Sequence, residues 1–161
     1  LRVTESILIK PNMSDSGTLL RVFEGAKNGL ARNVPIRSES QRETLNKAIE
    51  MSKQTDRNSL VPPGKRPAQA RCRLYYICRK VGITKTITPH GLRHEFANDL
   101  YQEISGVPSV VRGGSTILND AKDIEARHAV TKALGHSRLG ITAAYTGPRK
   151  IGRPKNMPNQ L

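Results

Sequence analysis

Apolar side chains recur every three or four positions along much of the chain, which is the spacing of amphipathic helices. This spacing predicts longer helices over residues 38–53, 68–81, 88–103 and 120–134, and shorter helical segments over residues 2–9 and 141–145. Ser38 followed by Gln41 resembles a capping box, and Thr88 is a second candidate N-cap. Residues 2–9 are predicted to be the end of a helix whose start precedes the chain.

Two short β-prone segments, residues 18–24 and 31–36, flank a glycine-containing turn and predict an antiparallel hairpin with Lys27 near its tip. Loops are predicted at residues 11–17, 54–67 and 106–119, where Gly, Pro, Ser or Asn are frequent. We therefore expect a mainly α fold with one small antiparallel β-hairpin, in the α+β class. Residues 1–146 are expected to form one domain and residues 147–161 a basic, extended C-terminal tail.

Several apolar side chains of the predicted helix over residues 88–103 have core spacing. They are Leu92, Phe96, Leu100 and Tyr101. One of the two neighbouring tyrosines Tyr75 and Tyr76 is also expected in the core.

Length, hydropathy and cysteine content limit the class of protein. The chain has 161 residues, which is enough for one domain with a substantial core. No run of apolar residues approaches the roughly 20 that a membrane span needs, so no membrane partner is expected. Cys72 and Cys78 have neither zinc nor disulfide-framework spacing, and a reducing, cytoplasmic location is expected. Because the chain begins with Leu1 rather than Met, we expect it to be part of a longer protein.

A large excess of positive charge indicates a polyanionic partner. Lys and Arg total 27 against 13 Asp and Glu, which gives a formal net charge of +14. Of these 27 cations, 16 fall in two stretches without any acid, residues 57–94 and 126–161. Nucleic acid is the commonest partner of such surfaces, although ribosomal proteins share this charge balance. Charge alone therefore favours nucleic-acid binding without naming an activity.

The motif HGLRH concentrates candidate chemistry on one helix. It places His90, Arg93 and His94 at positions i, i+3 and i+4, so that one face presents all three. A zinc site built on the two histidines needs a third ligand, and usually a glutamate after the first histidine, where Gly91 stands. No metal or other cofactor is expected.

Other motifs accompany HGLRH along the chain. LRVTE lies at the start, AKNGLARNVPI contains the predicted hairpin turn, LGHS follows the helix over residues 120–134, and a tyrosine lies nine residues after the LGHS histidine. In this order the motifs resemble the catalytic domain of tyrosine recombinases, the phage integrase family, over residues 2–145. The interval between HGLRH and LGHS is longer than this family usually shows, which predicts an insertion around residues 106–123.

The resemblance assigns catalytic roles to Arg2, Lys27, His90, Arg93, His136 and Tyr145. Tyr145 is the nucleophile, and the guanidinium groups of Arg2 and Arg93 suit the oxygens of a phosphorane, because they bind phosphate bidentately and stay charged. A tyrosine phenol has a reference pKa of about 10, so a base must take its proton, a role for His90. Lys27 is the general acid for the departing 5′-oxygen, and His136 is a hydrogen-bond donor to the scissile phosphate.

The resemblance implies a site-specific DNA recombinase that cleaves and rejoins DNA through a 3′-phosphotyrosine intermediate, for integration or excision of a mobile element. Double-stranded DNA, a tetramer on two DNA sites, a nucleoid-associated location and an additional N-terminal core-binding domain are expected with it. Candidate phosphate contacts on the predicted basic helix are Arg71, Arg73, Arg79 and Lys80. On the same helix, whichever of Tyr75 and Tyr76 is not in the core is expected to lie against DNA backbone. Two alternatives stay open: a type IB topoisomerase, which reseals the same strand, and a DNA-binding module without catalytic activity.

Overall fold

The computed structural model describes residues 1–83, 88–114 and 120–148. Its helices and strands are α1 (Val3–Leu8), α2 (Pro11–Ser14), β1 (Leu19–Val22), β2 (Arg32–Pro35), α3 (Glu39–Lys53), α4 (Pro67–Lys80), α5 (Pro89–Ser105), α6 (Asp120–Leu134) and α7 (Ala143–Thr146). Short 3₁₀ turns occupy Lys27–Gly29, Val110–Arg112 and Leu139–Thr142. The mainly α fold with a small antiparallel hairpin is confirmed.

The first helices differ from their predicted form. Residues 2–9 are not the end of a longer helix, because Arg2 is extended (φ −78°, ψ 157°) and α1 begins after it. The Arg2 N–H donates to Glu5 Oε2 at 2.6 Å, which satisfies a donor at the start of the helix. The loop predicted at residues 11–17 contains the single turn α2, with Pro11 at its first position.

Side-chain caps begin α3 and α5 as the sequence predicted. Ser38 Oγ accepts from the Gln41 N–H at 3.2 Å, and Thr88 Oγ1 accepts from the Gly91 N–H at 2.9 Å. Such caps satisfy backbone donors that a helix cannot bond internally. The second cap fixes the first turn of α5, which carries HGLRH.

The hairpin lies against the end of α6. Leu19 is opposite Pro35 and Val22 is opposite Arg32 in an antiparallel pair, with Lys27 in the turn between the strands. Strand β2 also contacts α6. The turn that carries Lys27 and the segment that follows α6 are therefore parts of one packed unit.

The principal core lies between α5, α6 and α7. Its buried members are Ala97, Leu100, Tyr101, Ala126, Val130, Ala133, Leu134 and Tyr145, with Phe96 packed against them. A smaller cluster of Ile7, Val61 and Ala70 joins α1 to α4.

Two core predictions are wrong. Leu92 is 50% exposed, because it lies on the part of α5 that borders an open apolar groove rather than on the face towards α6. Tyr75 and Tyr76 are both exposed, since α4 packs through its Ala70 and Leu74 side.

Some expectations concern residues that the structure does not describe. The predicted C-terminal tail lies outside the described residues from position 149 onward, and the predicted insertion does so at positions 115–119. Within the described ranges, no helix combines the length and apolar character needed to cross a membrane.

Candidate active site

Arg93 lies on the buried face of α5, one turn after His90. Its Nη2 donates to the Leu134 carbonyl oxygen at 2.5 Å, and its Nε is 3.5 Å from Tyr145 Oη. Burial lowers the pKa of Arg93, while the hydrogen bond to the phenol of Tyr145 acts in the opposite direction. This guanidinium thus connects the end of α6 to the phenol of α7.

Arg2 approaches the same carbonyl from the start of α1. Its Nη2 is 3.4 Å from the Leu134 oxygen, and its Nη1 donates to Glu5 Oε1 at 2.7 Å. About a quarter of the Arg2 side chain stays exposed, whereas the Glu5 side chain is fully buried. Two guanidinium groups therefore meet at the end of α6, and that of Arg2 still reaches solvent.

Arg32 at the start of β2 binds the carboxylate of Glu5, to which Arg2 also donates. Its Nη1 and Nη2 donate to the two carboxylate oxygens of Glu5 at 2.8 and 2.6 Å, and its Nε donates to the Ala133 carbonyl at 2.8 Å. Burial raises the pKa of Glu5, but the hydrogen bonds from Arg32 and Arg2 and the charge of Arg32 outweigh it and bring the pKa to about 2. Glu5 is therefore an ionised, buried acceptor for two arginines.

Gly135 allows Arg32 to lie this close to the end of α6. Its φ is +66°, which side chains other than glycine seldom adopt, and a Cβ there would lie 2.8 Å from Arg32 Cδ. The chain then turns directly into His136. The glycine of LGHS is thus needed both for the turn and for the arginine beneath it.

His136 is half-buried in a cationic environment. The pKa of its imidazole is lowered to about 4, chiefly by burial. Nearby positive charges add to this lowering: Arg93, Arg2, Arg32 and Lys27. Its Nδ1 is buried and has no hydrogen-bond partner among the residues that the structure describes. His136 is therefore a neutral hydrogen-bonding group near pH 7, in a place that favours an anion.

Tyr145 is buried in α7 with its ring among three histidines. Ring centroids lie 4.3 Å from His94, 5.3 Å from His136 and 6.0 Å from His90. Asn98 Nδ2 donates to the Tyr145 carbonyl at 3.2 Å, which ties α7 to α5.

The residues after Tyr145 are held by Arg127 of α6. Its Nη1 donates to Thr146 Oγ1 and to the Gly147 carbonyl, both at 2.9 Å, and its Nε is paired with Asp123. Tyr101 donates to the same carboxylate at 2.6 Å. Burial, followed by Asp123, raises the pKa of the Tyr101 phenol to about 12. Tyr101 is therefore a neutral structural donor.

Two adjoining pockets bring the predicted residues together. The first has a volume of about 380 Å³, and its lining includes Arg2, Tyr75, His90, Arg93 and Tyr145. The second, of about 270 Å³, is lined by Arg2, Lys27, Asn28, Leu30, Gly135, His136, Ser137, Ile141 and Tyr145. Arg2 and Tyr145 border both, so the six groups singled out from the sequence line one continuous region.

The phage integrase family model matches residues 1–112. The chain belongs to the phage integrase family. No curated protein and no solved structure matches it significantly. The matched region contains Arg2, Lys27, His90 and Arg93, whereas His136 and Tyr145 lie beyond it.

The basic helix α4 presents its cations to solvent. The predicted phosphate contacts on α4 are all exposed: Arg71, Arg73, Arg79 and Lys80. Lys80 Nζ lies 5.6 Å from the ring centroid of the exposed Tyr76. Within the described ranges, no group of three or more His, Cys, Asp or Glu side chains is arranged to hold a metal ion.

Sequence reasoning assigned no role to several residues that shape this site. They are Glu5, Arg32, His94, Asn98 and Arg127. Glu5 lies three residues after Arg2, a helical spacing that could have indicated their pairing. Arg32 carried no such signal, because its partner Glu5 lies 27 residues away and is reached only after folding. Arg127 has helical spacing to Asp123, but its bonds to Thr146 and Gly147 span 19 and 20 residues and form only after folding.

Proposed function

We propose that this chain is the catalytic domain of a site-specific DNA recombinase that uses Tyr145 as its nucleophile. The observation that carries the proposal is the continuous region around Tyr145, lined by Arg2, Lys27, His90, Arg93 and His136. It contains a phenol, two guanidiniums, two imidazoles and an ammonium group, which together suffice for phosphoryl transfer.

The scissile phosphate binds where Arg2 and Arg93 meet. Both guanidiniums lie beside the Leu134 carbonyl. Because two positive charges this close together repel each other, an anion bound on their solvent-facing side is favoured. As negative charge grows on the non-bridging oxygens, each preorganised donor contributes about 3 kcal/mol to the transition state. His136, kept neutral chiefly by burial and further by the surrounding cations, donates another hydrogen bond to the phosphate.

Cleavage transfers a phosphoryl group to Tyr145. Its Oη attacks phosphorus, a tyrosine–phosphorus bond forms, and the bond between phosphorus and the 5′-oxygen breaks. His90 takes the phenol proton, and Lys27 supplies a proton to the departing oxygen. The 5′-hydroxyl of a partner strand then attacks the phosphotyrosine, and the same protons return, so that DNA is rejoined without an external energy source.

The second part of the proposal is that the exposed basic surface of α4 binds DNA. The α4 cations Arg71, Arg73, Arg79 and Lys80 are exposed and contact phosphates of double-stranded DNA. Strand exchange between two sites requires four active centres, so the active form is a tetramer on DNA. Integration or excision of a mobile element, in association with the nucleoid, is the role that fits this chemistry.

Covalent capture on DNA tests the proposal without knowledge of the target. A pool of duplexes with randomised sequence around a nick releases a short fragment on cleavage, so that the phosphotyrosine adduct accumulates. We expect the wild-type chain to form an adduct on denaturing gels and Tyr145→Phe to form none, with non-covalent DNA binding unchanged. Tyr76→Phe is the matched control, because it removes an exposed phenol from α4 and leaves the pockets intact.

Other results point to the alternatives. Adducts formed by Tyr145→Phe would show that another residue is the nucleophile. DNA binding without any wild-type adduct would favour the module without catalytic activity. Relaxation of supercoiled plasmids irrespective of sequence would favour the type IB topoisomerase.

A further inference from the structure

The second histidine of HGLRH has no role in the scheme above, yet it touches the nucleophile. The His94 ring is stacked on the Tyr145 phenol, with centroids 4.3 Å apart and an interplanar angle of 27°. Its Nε2 lies 3.1 Å from His90 Nε2. His94 is thus in contact with both the nucleophile and its proposed base.

The backbone around His94 is tied to the same elements. The buried Asn98 donates from Nδ2 to the His94 carbonyl at 2.8 Å and to the Tyr145 carbonyl at 3.2 Å. Ser109 donates to Asn98 Oδ1, which fixes the orientation of the amide. One side chain therefore sets the distance between the turn that carries His94 and the turn that carries Tyr145.

A nitrogen-to-nitrogen contact constrains the protons on the two imidazoles. One ring must present an N–H and the other a lone pair, since two N–H groups or two lone pairs repel each other. Burial, then His90 and Arg93, lower the pKa of His94. The titratable and charged groups that face it are His90 and Arg93 on α5 and Tyr145 on α7. His94 is therefore a neutral partner for a proton that arrives on His90.

We propose that His94 is a positioning residue for the cleavage step, an inference that rests on the proposed function. Its ring holds the phenol by stacking, and its Nε2 orients His90 and stabilises the proton that His90 receives from Tyr145. The same contacts serve the reverse step, in which the proton returns to the phenolic oxygen.

Three substitutions separate the two contributions. His94→Phe keeps an aromatic ring but removes the nitrogen, His94→Ala removes both, and His128→Phe is the control at an exposed histidine of α6. Adduct formation is followed in single turnover across pH on the nicked duplex pool. We expect His94→Phe to be about tenfold slower at pH 7, with the deficit shrinking towards the phenol's reference pKa of about 10. His94→Ala should lose a further factor of about three to ten, because the stacking is gone.

A purely structural role would slow the reaction equally at every pH, and that result would overturn the inference. A leaving-group test gives a second criterion. On DNA with sulfur at the 5′-bridging position, the departing thiolate needs no acid, so the Lys27→Ala defect should vanish while the His94→Phe defect persists. Rescue of His94→Phe by sulfur would place His94 on the leaving-group side and overturn the proposal.

An NMR measurement decides the inference even if the wild-type chain forms no adduct. The ring signals of Tyr145, assigned by their loss in Tyr145→Phe, should move in His94→Ala because the stacked imidazole is gone. Unchanged Tyr145 signals would refute the stacking on their own. An absent wild-type adduct would instead count against the proposed function.

Discussion

Replacing Glu5 by glutamine tests whether the buried carboxylate holds the site together. Glu5 is fully buried and accepts four hydrogen bonds, from the Arg2 backbone and side chain and from both Nη atoms of Arg32. Glu5→Gln keeps the shape but removes the charge, which leaves the buried Arg32 guanidinium without its anion. Removal of one partner from a buried pair typically costs about 3–5 kcal/mol.

The lowered pKa of Glu5 gives a second measure of the stability that its ionised carboxylate contributes. The pKa of Glu5 falls from the ordinary 4.5 to about 2. At 1.36 kcal/mol per pH unit, this difference contributes about 3 kcal/mol of stability. Because the folded-state pKa is depressed, the contribution is complete above the unfolded pKa and is lost as pH falls from about 4.5 towards 2. At pH 3 about 1.4 kcal/mol should remain.

Urea and thermal denaturation of wild type and Glu5→Gln between pH 3 and 7 provide the assay. At pH 7 we expect a loss of about 3 kcal/mol, or about 6–12 °C in Tm for a chain of this size. The gap between the two proteins should narrow below pH 4.5. Glu103→Gln is the control, because Glu103 is paired with Arg37 at the surface and should cost less than about 1 kcal/mol. A Glu5→Gln protein as stable as Glu103→Gln, or a gap unchanged at pH 3, would refute the reasoning.

Two further predictions concern DNA binding and the turn after the nucleophile. If the exposed α4 cations contact phosphates, a plot of log DNA affinity against log salt concentration should have a slope near −5, for about six phosphates. The double substitution Arg71→Gln with Arg79→Gln should make this slope shallower by about 1.8. A slope near zero would contradict a basic DNA-facing surface. Gly147→Ala should lower stability by about 1–3 kcal/mol and adduct formation with it, because Gly147 has φ +84° and a Cβ there would lie 2.8 Å from Val110 Cβ. Gly140→Ala, where a Cβ meets nothing within 4 Å, should leave both measurements unchanged.

The sequence predicted the helix caps and the bounds of α6, because these depend on residues close together in the chain. The caps at Ser38 and Thr88 were predictable, because each lies within three residues of the N–H group that it satisfies. The bounds of α6 were predicted without error, from helical spacing and the glycine that follows. By contrast, Leu92 has the spacing of a core residue but lies beside an open groove, and periodicity cannot say which apolar face finds a partner.

The chemistry-bearing residues were visible in the sequence, and the residues that hold them were not. His90 and Arg93 share a helix face by spacing, and Tyr145 was chosen by its interval from LGHS. The pairing of Arg32 with Glu5 requires β2 to fold back on α1, and the bonds from Asn98 and Arg127 to the segment around Tyr145 require α7 to dock on α5 and α6. Contacts of this kind depend on the tertiary fold, so no short sequence motif predicts them.

The site has two sides that are supported separately. On the phosphate side, Glu5 and Arg32 join α1 and the hairpin to the end of α6 through buried charge. On the nucleophile side, Asn98 and Arg127 hold the backbone of α7 and of the residues after it. Arg93 bridges the two, since it donates to the Leu134 carbonyl and reaches the Tyr145 phenol. Substitution of Glu5 or Arg32 should therefore weaken anion binding and cleavage together. Substitution of Asn98 or Arg127 should slow cleavage while DNA binding persists.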